Sequence, residues 1–506
     1  MCIFKEFHNI KSANASITPI HSSDKYRTIV ECAFLLIIAS VLRIWFVGKT
    51  DLGFDESFSL HMALQNPHDI VHMMCKGDNP PLWELLLHYW IGIFGLSEIA
   101  IRSLSTIFSV LTIIPIYLLG ERYIQRFAGL SASLIYCFST FSIYLAHECR
   151  IYCLIGFCTA CSAFLFISII KNPITSKFIL LTIANLMLLY GHYLSVWIIV
   201  MEFIMVMCIK SIRIKIWKPY LIHVSVLLVL FTPMIPVLLA RFLDSGLHGT
   251  WIDKTTNIAA LYNFLWRMCN VPVTTVLSIG IMITALVKLI VSLFKKEAHF
   301  GISSILSLLW IVPLLVSFTL SFFTGFFLDR YFYFLFPIFY ISIIAYCIYI
   351  FPKQEILRLS FMGIIVFAIA VSCSPDSSTK RFSGWHSNIK PIVKQIVKAK
   401  ESEKTLVMIP EYFDRQFIYY LDDKHEAFHM YSQANTYNVY RKYLLEQGYY
   451  YDYDYPNIDF SSYNQVVIPY RKNMPINDLN VYLGKVGYHL EKELDEFPYA
   501  ICYFTR

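Results

Sequence analysis

Charge is what this sequence has least of. Only 15% of its 506 residues are Asp, Glu, Lys or Arg, against roughly a quarter in ordinary soluble domains, and 57% are hydrophobic. That balance excludes a soluble globular chain of this size and implies a multi-pass membrane protein. The chain also lacks a concentrated basic patch: its net charge of +7 is spread over short loops between apolar segments, which reads as a set of topology signals, and no nucleic-acid partner is expected. Its 13 cysteines are odd in number, and most lie inside apolar segments, as Cys137, Cys158, Cys161 and Cys208 do, so a disulfide framework is not expected. Cys158 and Cys161 form a C-x-x-C, but no second ligand pair accompanies them, and a zinc site wants about four converging ligands. Internal repeats and low-complexity tracts are absent. A cleavable leader is not expected, because the polar residues 1–27, with Lys5, Lys11, Lys25 and Arg27, precede a run long enough to span; that run reads as a retained anchor with a cytoplasmic N-terminus.

What is present in abundance is apolar sequence of spanning length. Such segments fall at 28–48, 99–120, 127–146, 151–170, 177–190, 194–209, 220–239, 273–294, 302–323, 331–351 and 359–373, about eleven in all. The stretch 81–95 is apolar too, yet it is short, contains Glu84 and His88, and is rich in interfacial aromatics. Laying it along the outer interface puts Arg122, Arg126, Lys171, Lys177, the cluster from Lys210 to Lys218, Lys295, Lys296, Lys353 and Arg358 on the cytoplasmic side. Letting it span turns every one of them outward, so 49–98 is expected as a first external loop with interfacial helices. The odd span count then places residues 375–506 outside. Charge rises there, and strand-length apolar runs at 405–409 and 466–468 alternate with helix-like stretches near 414–421, 437–446 and 478–486, which suggests a small α/β domain. The aromatic run from Tyr449 to Tyr455 suits stacking on sugars or simple coverage of its own domain.

Carboxylates gather where they are hardest to keep. Residues 51–83 set Asp51, Asp55, Glu56 and Asp78 beside a membrane surface, where an acid must be solvated, paired or used; a solvated loop between two helices is the plain alternative. Glu148 and Arg150 lie at the outer end of the third span, Asp329 and Arg330 at the start of the tenth, and His192 between two short spans. An ion pair, an interfacial anchor and a hydrogen-bonded structural histidine are the respective plain readings. The functional reading divides labour: acids for an acceptor hydroxyl, guanidinium groups for a phosphate. Snorkelling or loop packing is expected for Arg43 and Arg102, and loop packing for Trp385 and His386.

Taken in order, Asp55-Glu56, Asn79-Pro80-Pro81-Leu82-Trp83, FGLSEIAIRSLS at 94–105, HECRIY at 147–152 and DRYFYFLFP at 329–337 resemble the membrane glycosyltransferases of the GT-C class. The resemblance covers about residues 28–375 and is closest to the bacterial branch of the protein O-mannosyltransferase superfamily, which includes the lipid A aminoarabinose transferases. Asn79 stands where that family commonly has histidine. The resemblance implies an α-helical polytopic membrane protein of GT-C-like fold in a bacterial cytoplasmic membrane. It implies transfer, with inversion, of a sugar from a polyprenyl-phosphate donor to a hydroxyl of a lipid, glycan or protein acceptor on the periplasmic face. Asp55 would then be the general base or acceptor-orienting carboxylate, with Glu56 its neighbour and Glu148 the second acidic group. Some relatives use a divalent metal and others do not, so the resemblance leaves the metal open; were one present here, Asp55 and Glu148 would be the pair to hold it. The departing phosphate needs cations, for which Arg150, Arg330 and Lys76 are the candidates; Asp78, Tyr152, His192 and Tyr331 are expected in support. A transporter is the alternative of another class, and it calls for ionisable groups buried mid-membrane and helices broken at matching places in two halves. A non-catalytic scaffold binding glycans through its outer domain is a third.

Overall fold

The structure is a computed structural model that describes residues 22–76, 79–250, 252–255, 257–294, 300–376, 389–410, 416–417, 419–420, 429–431, 450–452, 458–472, 476–496 and 499–506. Each apolar segment named above falls on helix. They are α1 (Ser22–Ile44), then α5 (Glu98–Leu111) running into α6 (Ile113–Tyr123), α7 (Arg126–Phe138) with α8 (Thr140–Ala146), α9 (Tyr152–Lys171), α10 (Thr175–Gly191) and α11 (Val196–Cys208). After them come α12 (Lys210–Phe231), α13 (Ile235–His248), α14 (Ala259–Cys269), α15 (Pro272–Phe294), α16 (Ile302–Leu320), α17 (Phe336–Ile350) and α18 (Glu355–Val371). Among the described residues, 6 helices are long and apolar enough to cross a membrane, or 7 if the bent pair α7–α8 is one span. The other expected spans lie on α1, α10, α11 and α18.

Two segments depart from a simple span for physical reasons. Between α7 and α8 the axis turns by 61°, and the Arg43 guanidinium fills the break, donating to the carbonyls of Tyr136 at 3.1 Å and Cys137 at 3.3 Å and to Ser109 Oγ at 2.7 Å. Arg43 is fully buried, so it does not snorkel: it supplies the donors that a bent helix leaves its carbonyls wanting. The segment expected at 220–239 belongs to a 38-residue helix, Lys210–Leu247. At about 1.5 Å per residue it is longer than the roughly 30 Å hydrocarbon layer and must emerge from it. A 3-10 turn at Thr232–Met234 carries the chain past Pro233 and Pro236 without ending it. Helices α6 and α7 cross closely at two glycines, Gly120 and Gly129, where a Cβ on Gly129 would collide with the Tyr117 carbonyl oxygen.

Between α1 and α5 the chain forms α2 (Phe54–Ala63), α3 (Pro67–Met74) and α4 (Leu82–Phe94). With 13 residues, α4 is about 20 Å long, too short to span alone. It buries Trp83, Glu84 and Leu87 and exposes Tyr89, Ile93 and Phe94.

After α18 the chain builds a mixed sheet in the order β3-β2-β1-β4-β6-β5, from β1 (Thr405–Pro410), β2 (His429–Tyr431), β3 (Tyr450–Asp452), β4 (Gln465–Arg471), β5 (His489–Glu496) and β6 (Tyr499–Thr505). Strands β1 to β4 pair in parallel, while β4, β6 and β5 are antiparallel. The period of two sorts β1 between two cores. Val407 and Ile409 face α19 (Ile389–Lys400), and Leu406 and Met408 face α20 (Asn477–Lys485). The α19 core also takes in Met62 of α2 and Ile70 and Met74 of α3. The helix expected at 437–446, residues 385 and 386, and most of the run 449–455 lie outside the described residues.

One ion pair fixes the loop 49–98 to the spanning helices. Glu56 sits in the first turn of α2, and Arg102 is fully buried on α5; Nε and Nη2 each donate to the carboxylate at 2.8 Å. The rest of the guanidinium serves the carbonyls of Val47, Thr50 and Asp51 at 2.7–3.0 Å. Glu56 takes two further bonds, from the backbone N–H groups of Gly53 at 2.8 Å and Cys149 at 2.9 Å. Of the two expectations for Arg102, snorkelling or loop packing, it takes the second: it is an internal clamp on the loop backbone. Replacing Arg102 by Leu strands a buried carboxylate, and a loss of about 3–5 kcal/mol is expected. Thermal unfolding in detergent should show a clearly lower midpoint for Arg102→Leu, partly restored when Glu56→Gln is added; an unchanged midpoint in Arg102→Leu would refute the clamp.

Candidate active site

Consecutive residues on a helix point about 100° apart. With Glu56 turned inward, Asp55 therefore points elsewhere, and its carboxylate meets Arg330 at 2.8 Å. The Asp55 side chain is 37% exposed and that of Arg330 only 15%, so the acid faces an opening and the cation lies behind it. Arg330 comes from a 3-10 turn, Asp329–Leu335, that leads into α17. Within that turn the two charges separate: Asp329 pairs with Arg267 of α14, while Arg330 reaches Asp55. The pair Asp329-Arg330 is thus taken up inside the protein, not at the lipid surface.

Residues 147–151 close the other side. Thr106 and Ser105 of α5 donate to the carbonyls of Ala146 and Arg150, Trp83 Nε1 donates to the Cys149 carbonyl at 3.2 Å, and the Cys149 N–H is held by Glu56. So anchored, Glu148 and Arg150 turn apart and form no ion pair with each other among the described residues. Glu148 accepts a hydrogen bond from the Tyr144 hydroxyl, and burial pushes its carboxyl up to about 7, although Arg330 and Tyr144 pull the other way. Glu56 behaves oppositely. Burial would raise its carboxyl, but the Arg102 charge and the hydrogen bonds hold it below the usual carboxylate range.

Arg150 donates through Nη1 to Ser59 Oγ and to the Asp55 carbonyl, the latter at 3.2 Å. Its nearby carboxylate is Glu84 of α4, whose Oε1 is 4.0 Å from Nη1 and accepts from Ser59 at 2.9 Å. Tyr152 and Tyr331 lie with ring centroids 6.4 Å apart, and the His192 ring is 5.2 Å from Tyr331. The His192 Nδ1 accepts from the Leu194 N–H at 3.3 Å, and burial lowers its imidazole to about 4, with Arg150 adding to the effect. It is a neutral ring that supports Tyr331.

The fold thus brings Asp55, Glu56, Glu148, Arg150, Arg330, Tyr152, Tyr331 and His192 into one neighbourhood. Lys76 is exposed beyond the end of α3 and forms no ion pair among the described residues; Asp78 lies outside them. Asp55 and Glu148, the pair expected for a metal, both feel Arg330, and no group of three His, Cys, Asp or Glu side chains converges among the described residues. Sequence reasoning missed Ser59 and the role of Glu84. The available signal was Glu84 itself, a carboxylate on the apolar face of a short helix, which has to be partnered.

Residues 78–239 match the dolichyl-phosphate-mannose-protein mannosyltransferase family, and no curated protein matches by sequence. The fold resembles that of ArnT from Cupriavidus metallidurans. In the form bound to undecaprenyl phosphate the TM-score is 0.58 at 12% identity, over 95% of this chain and 98% of that one. The apo form gives 0.59 with the same identity and coverage. The archaeal oligosaccharyltransferase AglB from Archaeoglobus fulgidus, in complex with an inhibitory peptide and a dolichol-phosphate, gives 0.50 at 12% identity, over 88% of this chain and 70% of that one. At such identities the structures speak to fold, which ArnT shares nearly end to end with this chain. The chain is thus similar in sequence, over about a third of its length, to the protein mannosyltransferases, and it shares the fold of ArnT over nearly all of it.

Proposed function

We propose that the protein transfers a sugar, with inversion, from a polyprenyl-phosphate donor to an acceptor hydroxyl on a lipid, surface glycan or protein. The supporting observation is the juxtaposition of an accessible Asp55 carboxylate with Arg330 at 2.8 Å and with Arg150, which donates to the Asp55 carbonyl. One acid and two cations are what the reaction needs. The acceptor oxygen attacks the anomeric carbon, the bond from that carbon to the phosphate oxygen breaks, and the hydroxyl proton passes to Asp55. Polyprenyl phosphate leaves with the additional negative charge, which Arg330 and Arg150 meet. Such a leaving group needs no strong general acid, and a positioned carboxylate contributes on the order of a hundredfold or more.

Glu56 is the positioning residue for Asp55, since its own oxygens are taken by Arg102, Gly53 and Cys149. An apolar cleft of about 390 Å³, lined by Leu111, Leu118, Phe157, Phe164 and Met187, favours a lipid tail between helices. The face that carries the site is the periplasmic side of a bacterial cytoplasmic membrane, on the positive-inside argument.

Asp55→Asn, at equal membrane abundance, is expected to lower transfer from a radiolabelled polyprenyl-phosphate sugar by a hundredfold or more; transfer at the wild-type rate would remove Asp55 from the reaction. The fraction labelled by the wild-type protein, whether lipid, glycan or protein, identifies the acceptor class. The donor is a phosphodiester, whose charge does not change near neutral pH, whereas Glu148 ionises at about 7. Below that pH a neutral Glu148 leaves Arg330 to Asp55 and the donor; above it, a second carboxylate competes. The donor KM should therefore rise above pH 7 in the wild type and stay flat in Glu148→Gln. Identical pH profiles would refute the competition.

A further inference from the structure

Arg150 is deeply buried, yet no carboxylate lies within hydrogen-bonding distance of it among the described residues. Nη1 donates to Ser59 Oγ and to the Asp55 carbonyl, while Nε is buried without a described hydrogen-bond partner. Glu84, 2% exposed in the first turn of α4, stands 4.0 Å from Nη1. The Ser59 hydroxyl sits between them, accepting from Arg150 and donating to Glu84 Oε1 at 2.9 Å. Glu84 Oε2 is buried and likewise has no described partner. The two charges attract without being locked together, and each keeps an unused polar atom.

We propose that Glu84 is a built-in counter-ion that competes with the lipid phosphate for Arg150 and so speeds release of the polyprenyl phosphate product. The assignment rests on the reading that this phosphate meets Arg150. A phosphate that takes the free Nε–H comes within several ångströms of a buried carboxylate, and at the effective dielectric of a protein interior that repulsion changes affinity by about tenfold. Transfer adds negative charge to the departing phosphate, so the repulsion acts more strongly on product than on donor.

Glu84→Gln separates this role from a structural one. The amide keeps the length of the side chain and an oxygen to accept from Ser59, and Arg150 keeps both of its other partners, so only the charge is lost. The test is binding of undecaprenyl phosphate to the full chain purified in detergent, with the uncharged alcohol undecaprenol as control. Glu84→Gln is expected to bind undecaprenyl phosphate about fivefold or more tighter, with slower dissociation and unchanged affinity for undecaprenol. Glu84→Asp, which keeps the charge, should behave as the wild type does. A purely structural role predicts weaker binding, so unchanged or weaker binding of undecaprenyl phosphate by Glu84→Gln overturns the proposal. Should that variant fail to fold, Glu84→Met, an apolar side chain suited to a buried helix face, gives the same readout. If the wild type does not prefer undecaprenyl phosphate to undecaprenol, the donor reading itself falls and takes the counter-ion with it.

Discussion

The Glu56–Arg102 pair is the interaction on which the rest of the site depends. A guanidinium buried at a membrane edge must spend every donor, and Arg102 spends its donors on one carboxylate and on the carbonyls of Val47, Thr50 and Asp51. It thereby closes the irregular backbone between α1 and α2, whose carbonyls would otherwise be buried without donors. The same carboxylate caps α2 at Gly53 and reaches across to Cys149. One ion pair therefore sets the entry angle of α2, the position of residues 147–151 and, through the helical turn, the outward direction of Asp55.

Once that frame is fixed, each remaining charge has a distinct setting. Asp55 meets Arg330, Asp329 meets Arg267, and Arg150 faces Glu84 at 4.0 Å with the Ser59 hydroxyl bridging them. Glu148 has a tyrosine hydroxyl for a partner. The carboxyls are chemically alike and the environments are not, so one is held ionised, another is poised near neutrality and a third is left partly open to solvent. Such division cannot come from residue type; it comes from which helix supplies the partner and how deeply both are buried.

This explains what the sequence disclosed and what it withheld. Hydropathy located the helical segments because twenty apolar residues have few other stable solutions in this setting. The acids of 51–83 and the pairs at 148–150 and 329–330 stood out because charges are rare in such a chain. Partnerships stayed hidden: Glu148 and Arg150 are two residues apart and turn away from each other, while Glu56 and Arg102 are 46 apart and bond. Snorkelling and loop packing stayed equally open for Arg43 and Arg102 because a linear sequence does not reveal a bent helix or a loop in need of donors. The break between α7 and α8 was equally silent, since Ser139 and Thr140 are ordinary residues within an apolar run.

The C-terminal domain is held to the site by apolar packing as well as by polar contacts. Met62, Ile70 and Met74, from the helices that follow Asp55, lie in one core with Ile389, Ile392 and Ile396 of α19 and with Val407 and Ile409 of β1. At the edge of that core Tyr420 accepts from the Leu52 N–H and donates to Glu98, Gln416 donates to the Leu52 carbonyl, and Lys390 bridges Asp51 and Glu98. Removing the domain would expose the apolar faces of α2 and α3 and leave Asp51 and Leu52 without these partners. The backbone just before Asp55 is therefore shaped on one side by Arg102 and on the other by the C-terminal domain. Any change in how that domain sits therefore has a short path along the backbone, from Leu52, to Asp55.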